Sequence, residues 1–123
     1  MKEINAIIRM NMVSKTATNL KKAGFPCFTC RKVLGRGKKM VDLKVSNGEI
    51  SINRHQAENL SEQHRLISKR LFTIMVNDQD VQEVVDIIIS TNQTHNPGDG
   101  KIFVKDVTEV IRIRTSETGV LAL

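Results

Sequence analysis

A chain of 123 residues, 40% hydrophobic and 26% charged, is long enough to bury one core without staples and too ordinary in composition for global disorder. No apolar run approaches the roughly 20 residues of a membrane-spanning helix, and "MKEINAIIRM" carries no cleavage site, so no membrane partner is expected. The cytoplasm is the expected compartment, with Cys27 and Cys30 reduced. The net charge of +6 sits in the first third: residues 1–36 hold eight Lys/Arg against one acid, and residues 67–100 sum to −3. A basic segment invites anionic partners, but with no Trp, no Tyr and four Phe there are few platforms for stacking bases, so nucleic acid is not expected among them.

In chain order, residues 2–10 alternate and are rich in Ile, which predicts a strand. Val13, Ala17, Leu20 and Ala23 predict a helix over 13–23, closed by Gly24 in a left-handed cap. "FTCRKVL" (28–34) is the second strand, ended by Gly35 and Gly37. From Arg36 to about Arg65 the chain turns polar, a long insertion in which "VDLKVSNGEISI" alternates around Asn47-Gly48, a hairpin signal. "LISKRLFTIMV" (66–76) is a third strand. Val81, Val84, Val85, Ile88 and Ile89 make residues 77–90 the clearest helix, with Asn77 or Asp78 as its cap. Residues 101–107 and 110–114 read as two short strands after the turn-dense "THNPGDG". The order β-α-β, insertion, β-α-β-β describes one α+β domain, a ferredoxin-like double βαβ on an antiparallel sheet.

The stretch "PGDGKIFV" (97–104) has a phosphate-cradle grammar, because Gly98 and Gly100 let backbone N–H groups converge beside Lys101. It is not a Walker loop, since no Ser or Thr follows the lysine. Arg112 and Arg114, two apart on a predicted strand, leave the same face and suit a polyphosphate. On spacing alone, the favoured reading is a plain turn at the glycines and a solvated face at the arginines. "GRGKK" (35–39) and Lys69-Arg70 are further basic clusters. His55, His64 and His95 show no metal-ligand spacing, no serine sits in a nucleophile elbow, and an enzyme is not expected. Cys27 and Cys30 have a knuckle spacing, but in a strand positions i and i+3 point to opposite faces, which makes them structural rather than a metal or redox pair.

The stretch "THNPGDGKIFVKDV" (94–107) resembles the C-terminal signature of the PII (GlnB-like) signal-transduction family. "MKEINAIIRM", "TCRKVLGRG" and "VIRIRT" fall in the same register, so the resemblance covers residues 1–123 except the insertion and a tail of about 115–123. "NMV", "FTCRKVLGRGKK" and "NQT.NPGDGKIFV" look most like the second subunit of the paired NifI-type nitrogenase regulators. The resemblance implies trimers with ATP or ADP in each cleft between subunits. Thr29, Gly35, Gly37 and Lys38 would then line the nucleotide, with Met75 near the base. Gly98, Asp99, Gly100 and Lys101 would hold its phosphates, and Arg112 and Arg114 would reach across the boundary. Lys69 would pair with a 2-oxoglutarate carboxylate, with Lys39 beside it. The insertion, about 37–66, would be the partner-reading T-loop, with Lys44, Asn47, Gly48, Glu49 and Arg54 in contact.

The implied function is nitrogenase inhibition together with a paired PII-like subunit, released by 2-oxoglutarate. The alternative is a general PII protein controlling an ammonium transporter or an assimilatory enzyme. There are also departures from the family pattern. Lys39 stands where the family commonly has the Gln that ligates Mg²⁺, which puts the Mg²⁺ bridge in doubt. The T-loop has no tyrosine, which excludes uridylylation, and His95 stands where Gly is common.

Overall fold

The structure is a computed structural model that describes residues 1–37 and 66–123. The hairpin expected over 41–52, and with it Lys38, Lys39, Lys44, Asn47, Gly48, Glu49 and Arg54, lies outside the described residues. In chain order the described elements are β1 (Lys2–Ile8), α1 (Val13–Lys22), β2 (Thr29–Gly35), β3 (Ile67–Val76), α2 (Val81–Asn92) and β4 (Lys101–Asp106). The strands form one antiparallel sheet in the order β2-β3-β1-β4. This is the expected ferredoxin-like topology, and element bounds agree with the sequence to within a few residues.

Alternation puts Ile4, Ala6 and Ile8 of β1 and Phe72, Ile74 and Val76 of β3 on one face, where they are buried against Leu20, Val84 and Ile88 of the helices. Each of the larger of these side chains, Ala6 excepted, contributes about 1.5–3 kcal/mol by leaving water. Thr16 is also fully buried, a core position that an apolar count does not find: its hydroxyl donates to the Met12 carbonyl at 2.7 Å and accepts from Asn92 Nδ2 at 3.0 Å. Asn19 Nδ2 donates to Thr91 Oγ1 at 3.0 Å, so polar pairs as well as apolar contacts join the two helices.

Helix α1 ends as its sequence dictates. The N–H of Phe25 reaches the Leu20 carbonyl at 2.9 Å and that of Gly24 reaches Lys21 at 3.1 Å, the Schellman pattern, with Gly24 at φ +95°. Helix α2 starts later than expected, because residues 78–80 form a 3-10 turn. Neither expected cap residue makes a side-chain cap bond; Asp78 pairs instead with the N-terminal amine of Met1 at 2.8 Å.

The expected fifth strand does not form. After Asp106 the chain leaves the ladder, Ile111 makes a single bridge to Thr118, and residues 113–115 turn. "TSETG" explains the difference: Ser116 (φ 58°) and Gly119 (φ 68°) adopt the left-handed conformation and fold the segment back on itself. Among the described residues, no helix is long and apolar enough to cross a membrane.

Candidate anion site at the glycine loop

Antiparallel register assembles the site. Ile7 pairs with Lys101 and Ile8 with Arg70, so continuing both ladders sets Arg9 opposite Asp99 and Lys69. The side chains meet there. Arg9 Nη1 donates to Asp99 Oδ1 at 2.7 Å and Nη2 to the Pro97 carbonyl at 3.3 Å, while Lys69 Nζ donates to the Gly98 carbonyl at 2.6 Å. Asp99 also accepts from the Thr94 hydroxyl at 2.5 Å, the Thr94 N–H at 2.7 Å and the His95 N–H at 3.0 Å. The Thr94 hydroxyl and N–H, followed by Arg9, hold this carboxyl well below the usual carboxylate range. Its oxygens are occupied by the loop itself, so Asp99 is placed to shape the loop. Burial and the nearby Arg9 charge depress the Lys69 ammonium.

Both glycines are required. Gly98 (φ +101°) lies where a Cβ would come within 3.1 Å of Arg9 Nη2, and Gly100 (φ +114°) runs so close to β1 that a Cβ would collide with the Ile7 carbonyl. The result is a tight backbone turn flanked by three cations, Arg9, Lys69 and Lys101, which suits a small anion bearing several oxygens. Sequence reasoning did not single out Arg9. The signal that could have found it is the cation immediately after "NAII", once β1 is recognised as the neighbour of β4.

The other candidates are distributed as follows. Gly35, opposite Ile67, ends β2 at the same end of the sheet as Arg9, and Gly37 follows just beyond it. Thr29, opposite Thr73, is mid-sheet on the face away from the helices, and Met75, opposite Glu3, is farther along that face and 41% exposed. β2 and β4 are opposite edges of the sheet, about 14 Å apart across three strand spacings. Arg112 and Arg114 are not on a shared strand face, as a consequence of the missing fifth strand. Cys30 pairs with Phe72, on the sheet face opposite Thr29, and Cys27 precedes the strand; both thiols are free and exposed. Among the described residues there is no cluster of three or more metal-ligating side chains.

An open groove of about 440 Å³ runs from the loop along α2 and β4, lined by Ile7, Val85, Ile89, Asn92, Lys101 and Val104 among others. The Asn92 Oδ1 and Asn5 Nδ2 atoms are buried without hydrogen-bond partners among the described residues. The groove and exposed Val104 lie on the helix side of the sheet, whereas exposed Met75 and Phe103 lie on the face away from the helices.

Comparison with known proteins settles the kinship. The model of the family "Nitrogen regulatory protein P-II" matches residues 1–117. The chain is a member of the P-II family. Within that family, this P-II chain is 44% identical to the "nifHD1 region GlnB-like protein 2" of Methanosarcina barkeri, over 100% of the chain and 99% of the relative. It is 42% identical to the "nifHD region GlnB-like protein 1" of Methanothermococcus thermolithotrophicus, over 98% of the chain and 100% of the relative. Among solved structures it resembles Arabidopsis thaliana PII bound to citrate, with a TM-score of 0.76 and 28% identity over 99% of this chain and 91% of that one. The chain is thus a PII-like nitrogen regulator of the nifHD-region GlnB-like type.

Proposed function

We propose that this P-II chain is a non-enzymatic regulator that binds ATP or ADP at the glycine loop and assembles as trimers together with a paired NifI-type subunit. In this reading it inhibits the dinitrogenase component of nitrogenase through residues 37–66, in the cytoplasm, until 2-oxoglutarate rises. The observation that carries the reading is the Arg9, Lys69 and Lys101 cluster around the Gly98–Gly100 turn in a chain whose relatives are named as numbered pairs of the nifHD region. Gly98, Gly100 and Lys101 hold phosphates, and Asp99 keeps the turn in shape. Gly35 and Gly37 flank the nucleotide from the same end of the sheet, and Lys38, the next residue in sequence, lines it with them. Thr29 and Met75, with Arg112 and Arg114, are contributed by a neighbouring copy, because Thr29 and Met75 lie along the sheet away from the end that carries the glycine loop and Gly35. Exposed Met75 and Phe103, on the face away from the helices, support such assembly.

Lys69 pairs with a carboxylate of 2-oxoglutarate, and the cations beside it suit the polycarboxylate class to which the citrate of the Arabidopsis relative belongs. Lys39 replaces the usual Mg²⁺ ligand, so this chain binds 2-oxoglutarate weakly by itself, and Lys39→Gln strengthens binding when ATP and Mg²⁺ are present; calorimetric titration of both forms checks this. The effector acts by binding one arrangement of the partner-reading segment, with its Lys44, Asn47, Gly48, Glu49 and Arg54, better than another. The deciding experiment adds the purified chain, with its paired subunit, to nitrogenase. Activity falls at low 2-oxoglutarate and returns at high 2-oxoglutarate; unchanged activity at both sinks the reading. Similarity to the "Nitrogen regulatory protein P-II 2" of Methanothermobacter thermautotrophicus, at 38% identity, keeps a second reading, control of an ammonium transporter or assimilatory enzyme. Affinity capture that returns such a target without nitrogenase favours it.

A further inference from the structure

The segments that carry Arg9 and the glycine loop meet a second time, inside the molecule. Arg9 is followed by the 3-10 turn Met10–Met12 and helix α1, and the Met12 N–H donates to the Arg9 carbonyl at 3.0 Å. Thr16, in the first turn of α1, donates its hydroxyl to the Met12 carbonyl at 2.7 Å and accepts from Asn92 Nδ2 at 3.0 Å. Asn92 is the last residue of α2, where its Nδ2 also donates to the Ile88 carbonyl at 2.9 Å, and the glycine loop follows directly. Two residues on, Thr94 grips Asp99 through its hydroxyl and its N–H, and Asp99 returns to Arg9 at 2.7 Å. The contacts close a ring that runs from Arg9 through Met12, Thr16, Asn92, Thr94 and Asp99 back to Arg9.

Stability does not account for the pair at the far side of this ring. Thr16 is 0% and Asn92 5% exposed within one copy, so a neighbouring copy adds nothing of substance to their burial. Asn92 Oδ1 has no hydrogen-bond partner among the described residues. A buried acceptor left unpaired is a cost, whereas two apolar side chains of similar shape would fill the same space without it. What the polar pair supplies is direction. Apolar contact tolerates sliding of one helix along the other, and a hydrogen bond between two fixed side chains does not.

We propose that Thr16 and Asn92 are positioning residues that hold the end of α2 against the start of α1, and so set the glycine loop where Arg9 meets it. They act through the loop and Arg9 rather than on the anion. The brace stands on the contacts above, and the anion's identity as a nucleotide phosphate rests on the proposed function.

Full-length wild type, Thr16→Val, Thr16→Ser and the double variant Thr16→Val with Asn92→Leu are compared by urea unfolding, by NMR titration of the Asp99 carboxyl and by ATP calorimetry. Thr94 first and then Arg9 depress the Asp99 carboxyl, with Lys69 nearby, so its titration reports whether the loop keeps its shape and its place. The double variant leaves no orphaned amide, so it should unfold at a urea midpoint no lower than wild type, yet titrate Asp99 at higher pH and bind ATP about tenfold more weakly. Thr16→Val removes only the accepting oxygen and should move the titration and the affinity the same way, which covers a double variant that does not fold. Thr16→Ser keeps the hydroxyl and should match wild type in both. Wild-type Asp99 titration and ATP affinity in the double variant, whatever its urea midpoint, would make the pair purely structural and overturn the proposal. Equal losses in Thr16→Ser and Thr16→Val also overturn it, since the hydroxyl would then not be the cause. If wild type binds no ATP, the nucleotide reading fails while the Asp99 titration still decides the brace.

Discussion

Gly100 shows how one residue can couple two strands to a site. Its Cβ-less backbone lets β4 begin against the Ile7 carbonyl, and Ile7 to Lys101 is the first rung of that ladder. Gly100→Ala adds a collision with backbone to a φ of +114°, so it should cost about 2 kcal/mol or more, read as a lower urea midpoint with an unchanged slope. Asp99 makes a complementary prediction. Its folded pKa is depressed below the ordinary 3.8, so its contribution to stability is complete above about pH 4 and is lost as pH falls below that value. Asp99→Asn should therefore flatten the stability profile between about pH 4 and pH 2, which acid titration followed by circular dichroism measures. The glycines were legible in the sequence as a possible cradle. Arg9 was not, because its partner lies 90 residues away and only strand pairing brings the two together.

At the scale of elements, local chemistry and tertiary context divide the result. Helix α1 stops where its sequence says, since Gly24 has the positive φ that a Schellman cap needs and Phe25 packs back on the core. Gly24→Ala meets no neighbouring atom, so its whole cost is conformational, about 1 kcal/mol, or a fall of about 4 °C in Tm. A scanning calorimetry comparison with wild type checks it. "VIRIR" is the contrary case: its alternation and β-branched residues suit a strand, but beyond Asp106 no ladder continues, and the turn residues that follow reverse the chain. Strand propensity without a partner strand leaves a single bridge.

The whole molecule carries its charge unevenly. Helix α1 bears Lys15, Lys21 and Lys22 with no acid, whereas the start of α2 and its 3-10 turn bear Asp78, Asp80 and Glu83. The sheet, meanwhile, keeps Thr29 and Lys101 on opposite edges. If nucleotide sites form between copies, chains carrying Thr29→Ala and chains carrying Lys101→Ala each lose binding alone. After mixing and reassembly at equal amounts, about one quarter of the sites regain both native residues. Calorimetric stoichiometry near zero in the mixture would instead place both residues of a site on one chain.

The sequence alone determined the types and order of the elements from β1 to β4 and the glycine loop, because periodicity, caps and turn residues act over a few residues. Family resemblance then converted that loop from a plain turn into a candidate anion site, in keeping with the matched family. Only the tertiary structure decided that Arg9 and Lys69 flank the loop and that Asp99 serves the turn. Those outcomes depend on which strands are neighbours and on where the chain reverses, and contacts between residues distant in sequence cannot be inferred from local pattern.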